Sequence, residues 1–253
     1  MSSKFISIIS ISQLKDNYCY LIKDDVSTII IDPAESKSII KYVNENNLKI
    51  SAIFITHHHK DHTAGIESIL KHSYVPVYSP NKNIKGTTSV VKKGDIINSK
   101  LFNFKVIETP GHTLDHIVYH DEANKILFSA DVLFRLGCGR VFEGTYEQMQ
   151  KSLMIINNLD NDTMVYCGHE YTISNLNFLL SIFPNNLDLI VEKEKINKQI
   201  SETGSSIPFN LGKEKTLNPF LSSDSKFYNN FKKQKNLKNL EMFSYLRDLK
   251  NNF

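Results

Sequence analysis

Cysteine is scarce in this chain, and no apolar run is long. Cys19, Cys138 and Cys167 are odd in number and scattered, which argues against a disulfide framework and suits a reducing compartment. No stretch approaches the roughly 20 apolar residues that a bilayer-spanning helix needs, and Phe5 to Ile11 alternates serine with isoleucine instead of building a secretory core. A cytoplasmic protein with no membrane partner is therefore expected. Charge of one sign is lacking too: the net charge of +3 is too small to imply nucleic acid. Five lysines and no acid lie between Lys226 and Lys238, and a solvated helix face accounts for them. What is present is 253 residues with 41% hydrophobic content, enough for one large domain or a main domain with an appendage.

Against that background one segment stands out, Thr56-His57-His58-His59-Lys60-Asp61-His62, directly after the apolar run Ile53-Phe54-Ile55. Imidazole and carboxylate suit a borderline divalent ion, zinc first, with iron or manganese also compatible. In an extended segment alternate side chains point the same way, so His57 and His59 can grip one ion while Asp61 and His62 lie one step further along. Three more candidates follow strand-like runs: His112 after Phe104 to Ile107, Asp131 after Ile126 to Phe128, and His169 after Met164 to Tyr166. Ligands at strand ends converge on one sheet edge. Seven are too many for a closed four-coordinate site, but suit two ions that share a carboxylate and keep a position for water. A catalytic centre is expected. His58 faces away by alternation, while His72, His116 and His120 read as local hydrogen-bonding residues, and Cys138 and Cys167 as buried fillers.

From Phe5 to about Tyr171 short apolar runs alternate with turn signals and some helical stretches, such as that marked by Ile66, Ile69 and Leu70. Runs from Ile6 to Ile11, Tyr18 to Ile22, Thr28 to Ile31 and Ala52 to Ile55, then a second set from Val75 to Tyr166, suggest two sheets. Beyond Tyr171 the spacing of Leu176, Leu179 and Leu180, and of Ile190, Ile196 and Ile200, becomes helical, with Pro208 to Pro219 as a loop. In the last helix Leu240, Phe243 and Leu246 face inward, and Arg247 and Lys250, three apart, share a face. The expected division is a metal-binding catalytic domain over 1–172 and a mainly helical domain over 173–253, to which the resemblance described next gives substrate binding.

These residues resemble the metallo-β-lactamase superfamily, whose signature matches Thr56-His57-x-His59-x-Asp61-His62 followed by a histidine, an aspartate and a last histidine. Within it the chain resembles the glyoxalase II family of hydroxyacylglutathione hydrolases: Asp16-Asn17-Tyr18, Gly137-Cys138-Gly139-Arg140-Val141-Phe142-Glu143-Gly144-Thr145, Tyr166-Cys167-Gly168-His169-Glu170-Tyr171-Thr172, Asn218-Pro219-Phe220 and Arg247-x-x-Lys250-x-x-Phe253 all match it. The resemblance implies an α+β fold, a four-layered αββα sandwich with a C-terminal helical domain. It also implies two divalent ions, one held by His57, His59 and His112, the other by Asp61, His62 and His169, with Asp131 bridging. Arg140, Tyr171, Arg247 and Lys250 fall where the family contacts glutathione. Phe142 stands where some members have tyrosine, so a ring remains for packing and a hydroxyl contact is lost.

The activity so implied is hydrolysis of S-(2-hydroxyacyl)glutathione, S-D-lactoylglutathione above all, to glutathione and D-lactate by a hydroxide bridging the two ions. That is the second step of methylglyoxal detoxification. The chemistry is coherent: paired ions lower the pKa of bound water and polarise the carbonyl, and a thiol that titrates near ~8.5 leaves without a general acid. Cationic side chains suit the two carboxylates of glutathione. A single-iron persulfide dioxygenase of the superfamily shares the opening motif but lacks the helical tail, so Arg247 and Lys250 favour the hydrolase. A phosphodiesterase or nuclease rests on the lysine run alone, and a non-catalytic metal-binding module sits poorly with a complete ligand set. The expected partner is a small glutathione thioester, and the default assembly is a monomer.

Overall fold

The computed structural model describes residues 7–99 and 102–253; Ile6, the start of the expected first strand, lies outside the described residues. The chain divides into two units, the first running to Glu108 and including Asp115–Asn124, the second comprising Thr109–Leu114 and Lys125–Phe253.

In the first unit the apolar runs become strands β1 (Ser7–Gln13), β2 (Asn17–Lys23), β3 (Ser27–Ile31), β4 (Lys49–Phe54), β5 (Val77–Ser79), β6 (Ser89–Val90), β7 (Ile96–Asn98), β8 (Asn103–Glu108) and β9 (Ile117–Asp121), with helices α1 (Lys37–Glu45), α2 (Lys60–Thr63) and α3 (Ile66–His72) between them. Strands β1 to β6 form one sheet in that order, antiparallel through β3 and parallel beyond it. Strands β7, β8 and β9 form an antiparallel meander. Parallel strands covered by helices read as continuous apolar runs, and Ile29 to Ile31 and Ile53 to Ile55 are buried accordingly. Ile39 and Val43 of α1 and Ile66 and Ile69 of α3 join Ile30, Ile53 and Val77 in one core cluster. Polar residues begin where those strands end, at Asp32 after β3 and Thr56-His57 after β4, the usual place for a site in such sheets.

The second unit holds β10 (Ile126–Ala130), β11 (Leu133–Phe134), β12 (Gly137–Cys138), β13 (Met164–Cys167) and β14 (Phe209–Asn210). Its helices are α4 (Tyr146–Asn157), α5 (Thr172–Ile182), α6 (Leu187–Thr203), α7 (Leu211–Leu217), α8 (Lys226–Lys235) and α9 (Asn239–Asn251). Strand β10 runs parallel to β13 with a register shift between Phe128 and Ala130, β13 is antiparallel to β14, and β11 and β12 make a short hairpin. Helix α4 starts at a capping box: Thr145 and Gln148 each bond the other's backbone N–H. Helix α6 ends at Gly204 with φ +76°, a left-handed cap that favours glycine.

The helical character expected after Tyr171 is present, but Pro208 to Pro219 is not a loop. It contains β14 and α7, because Phe209 pairs with Val165 and the Asn210 side chain caps α7 by accepting from the Lys213 N–H. Both devices depend on residues too few for a periodic signal. In α9, Phe243 and Leu246 are buried as expected and Leu240 is half-buried. No helix among the described residues is long and apolar enough to cross a membrane.

Candidate metal centre and substrate cations

In the first unit His57 and His59 lie on the loop leaving β4, and the extended reading holds only that far. The Ala64 N–H bonds the Lys60 carbonyl and the His62 N–H the His59 carbonyl, so Asp61 and His62 sit on the helical turn α2. A turn of helix brings the group closer than an extended chain allows. The His57 ring centroid is 4.8 Å from that of His59 and 4.2 Å from that of His62, and His62 Nε2 is 3.8 Å from Asp61 Oδ2.

Buried neighbours orient these rings. Asp32 accepts from the Thr56 N–H (2.9 Å), the Thr56 hydroxyl (2.7 Å) and His62 Nδ1 (3.1 Å). Since the Thr56 hydroxyl gives its hydrogen to Asp32, its oxygen accepts from His57 Nδ1, 3.0 Å away. Both histidines thereby carry the lone pair on Nε2, the tautomer that carboxylate-supported metal ligands adopt. Asn17 Nδ2 bonds Asp61 twice, at the carbonyl (3.2 Å) and at Oδ2 (3.0 Å). Asp32 and Asn17 were not read from the sequence as site residues; the only signal for Asp32 is that it, too, follows an apolar strand.

In the second unit His112, Asp131 and His169 converge. Asp131 Oδ2 is 3.4 Å from His112 Nε2 and 3.3 Å from His169 Nε2. His112 Nδ1 donates to the Arg140 carbonyl (2.8 Å), which again leaves Nε2 as the ligand atom. Two glycines make this geometry possible. Gly111 has φ +147°, and a Cβ there would come within 2.7 Å of Met149 Cα. At Gly139 a Cβ would lie 1.9 Å from the Asp131 carbonyl oxygen.

Two of the expected substrate contacts, Tyr171 and Phe142, pack against these residues. Tyr171 stacks on His169 at 4.7 Å and 5°, Phe142 packs edgewise on His112 at 5.3 Å, and the exposed Arg140 guanidinium lies 5.8 Å above the Phe142 ring. Arg247 is buried and donates to the Cys138 carbonyl (2.9 Å) and Asn251 Oδ1 (3.1 Å), which ties α9 to the strand that leads into Arg140. Lys250 donates to the Ser174 carbonyl (3.0 Å) and lies over Phe178 and Phe253. Burial, and then the Arg247 charge, push the Lys250 ammonium down to about 8. Burial pushes the Cys138 and Cys167 thiols up, so neither is a ready nucleophile.

Donor chemistry and tautomers thus suit divalent ions. Within each unit the expected ligands form a close group, His57, His59, Asp61 and His62 in the first and His112, Asp131 and His169 in the second. His58, His72, His116 and His120 belong to no candidate metal-ligand group among the described residues. His58 Nδ1 instead meets Asp115 at 2.9 Å, and burial lowers the His120 pKa.

Residues 14–88 and 82–169 match the metallo-β-lactamase superfamily, and 170–253 the hydroxyacylglutathione hydrolase C-terminus. The hydroxyacylglutathione hydrolase of Wigglesworthia glossinidia brevipalpis is 41% identical across 98% of this chain and 99% of its own. That of Nitrosomonas eutropha is 36% identical across 98% and 99%. Among solved structures, a metallo-β-lactamase from Staphylococcus aureus superposes with a TM-score of 0.66 at 23% identity, covering 98% of this chain and 72% of that one. The expected metallo-β-lactamase fold, mixed α and β with a helical C-terminal region, is the fold found.

Proposed function

Because the chain belongs to the hydroxyacylglutathione hydrolase family of the metallo-β-lactamase superfamily, we propose that its converging histidines and aspartates hold two divalent ions at the centre of a glutathione thioesterase. The enzyme cleaves S-(2-hydroxyacyl)glutathione to glutathione and a 2-hydroxy acid, S-D-lactoylglutathione being the proposed principal substrate and the removal of methylglyoxal its place in metabolism. The ligands assigned are His57, His59 and His112 for one ion, Asp61, His62 and His169 for the other, and Asp131 for both. Zinc is the metal assigned. When bound, such a pair supplies an activated water and Lewis acidity at the thioester carbonyl. The observation that carries this reading is the ligand chemistry: His57, His62 and His112 are each held by Nδ1 so that Nε2 is the coordinating atom.

The remaining steps belong to binding and departure. Tyr171 and Phe142, packed on His169 and His112, offer flat apolar surface beside the reacting group. Arg140 and Lys250 place positive charge for the glutathione carboxylates, where charge-assisted bonds are about twice as strong as neutral ones. Arg247 contributes its charge from a fixed position, because Cys138 and Asn251 hold its guanidinium. The glutathione thiolate is a good leaving group near neutral pH, so no side chain is assigned as general acid. On this reading residues 1–172 supply the catalytic domain and 173–253 the substrate-binding helices, in a cytoplasmic monomer.

The test is hydrolysis of S-D-lactoylglutathione beside a thioester that lacks glutathione, with metal content measured on the same sample. Rapid, chelator-sensitive cleavage of the glutathione ester alone, with about two metals per chain, is the expected result. Equal cleavage of both esters would overturn the role given to Arg140, Arg247 and Lys250.

A further inference from the structure

Five residues of the second unit form a closed ring that includes two of the assigned ligands. Asp131 and His169 meet at 3.3 Å. Four residues beyond Asp131, on the turn of the β11–β12 hairpin, Arg135 is buried, and its guanidinium reaches the helical region at three points. Nη1 donates to the Ser206 carbonyl and Gln199 Oε1, both at 2.8 Å, and Nη2 to Glu192 Oε1 at 2.6 Å. Ser206, fully buried, then donates its N–H (2.8 Å) and its hydroxyl (2.6 Å) to the two carboxylate oxygens of Glu170, the residue after His169. The path Asp131, Arg135, Ser206, Glu170, His169 thus returns to its start, through hydrogen bonds from Arg135 to Glu170 and through the backbone from Asp131 to Arg135 and from Glu170 to His169.

We propose that Arg135 is a positioning residue: through Ser206 and Glu170 it fixes the separation of Asp131 and His169, and so governs how firmly the metal centre is retained. The idea rests on the ligand assignment made above for those two residues. The planar fork of arginine is what lets one side chain hold Ser206, Gln199 and Glu192 at once, and a lysine, with a single nitrogen on a flexible stem, does not reproduce it. Groups that orient metal ligands from outside the coordination sphere are commonly worth ~10- to 100-fold in metal affinity. The hairpin is gripped independently by Glu214, which accepts from the Leu136 N–H, and by Asn218, which donates to the Gly137 carbonyl. Loss of Arg135 is therefore expected to loosen the ligands without unfolding the hairpin.

The experiment compares the full-length, metal-loaded parent with Arg135→Lys and with the double variant Arg135→Met/Glu192→Leu. The double variant removes both charges of the buried pair, so no orphan charge destabilises it. Three quantities are read: the rate of metal loss to excess chelator, the KM for the glutathione thioester, and the unfolding midpoint of the metal-free protein. Expected are metal loss at least about tenfold faster in both variants, an unchanged KM, and a metal-free midpoint close to the parent's. Metal loss at the parent's rate would overturn the proposal, and so would a metal-free midpoint that falls in step with metal loss, since Arg135 would then be only structural. A parent that binds no metal would instead sink the ligand assignment itself, a result distinct from either.

Discussion

At the scale of single residues, chemistry and spacing made candidate ligands legible. Four histidines and an aspartate within six residues have few purposes other than metal binding, and that cluster lends weight to His112, Asp131 and His169, which alone would read as polar residues after apolar strands. Their supports were not legible. Asp32 and Asn17 act 30 and 44 positions from the residues they bond, and the one local sign is the apolar strand that precedes Asp32. Lys250 was legible as a cation, but its environment was not. Burial holds its pKa at about 8, below the usual lysine range, so it is charged at lower pH and loses that charge as pH rises through that value. The KM for the glutathione thioester should therefore climb above pH 8 by on the order of tenfold, the worth of a charged hydrogen bond, and Lys250→Met should remove most of that rise. A flat KM from pH 7 to 9 in the parent would contradict the assignment of Lys250 to substrate.

At the scale of elements, periodicity identified long segments and missed short ones. Helices α5, α6 and α9 repeat their apolar positions over several turns, whereas α7 spans seven residues and β14 only two. Such elements are set by partners, here Val165 and Asn210, rather than by their own pattern. The hairpin β11–β12 is similar, and its closure depends on one missing side chain. Gly139→Ala would place a Cβ 1.9 Å from the Asp131 carbonyl oxygen, and backbone cannot yield as a flexible side chain would. The expected cost is about 3 kcal/mol or more of unfolding free energy, with weakened metal binding, as measured by denaturant titration and metal analysis. Thr145→Ala, which removes the α4 cap, offers a calibration at about 1 kcal/mol. Equal losses for the two variants would show that the close approach at Gly139 relaxes easily.

For the molecule as a whole, metal and fold are linked. Ions that bind the folded chain and not the unfolded one stabilise it by about 4 kcal/mol when present at about a thousand times the dissociation constant. For a chain of this size that is roughly 10 °C in unfolding midpoint. Excess chelator should lower the midpoint by about that much and re-added zinc should restore it; a midpoint indifferent to chelator would mean that no centre of this strength exists. The sequence by itself determined the strand-rich start and helical end, the candidate ligands and the cationic tail, because period, residue type and spacing are local properties that survive without a structure. The fold class followed from the family its motifs resemble. Tertiary structure decided the rest: the α2 turn that carries Asp61 and His62, the tautomers imposed by Asp32, Thr56 and Arg140, the lowered pKa of Lys250, and the ring through Arg135, Ser206 and Glu170. Each of these depends on groups distant in the chain meeting where water is excluded, and such meetings leave no mark on the order of residues.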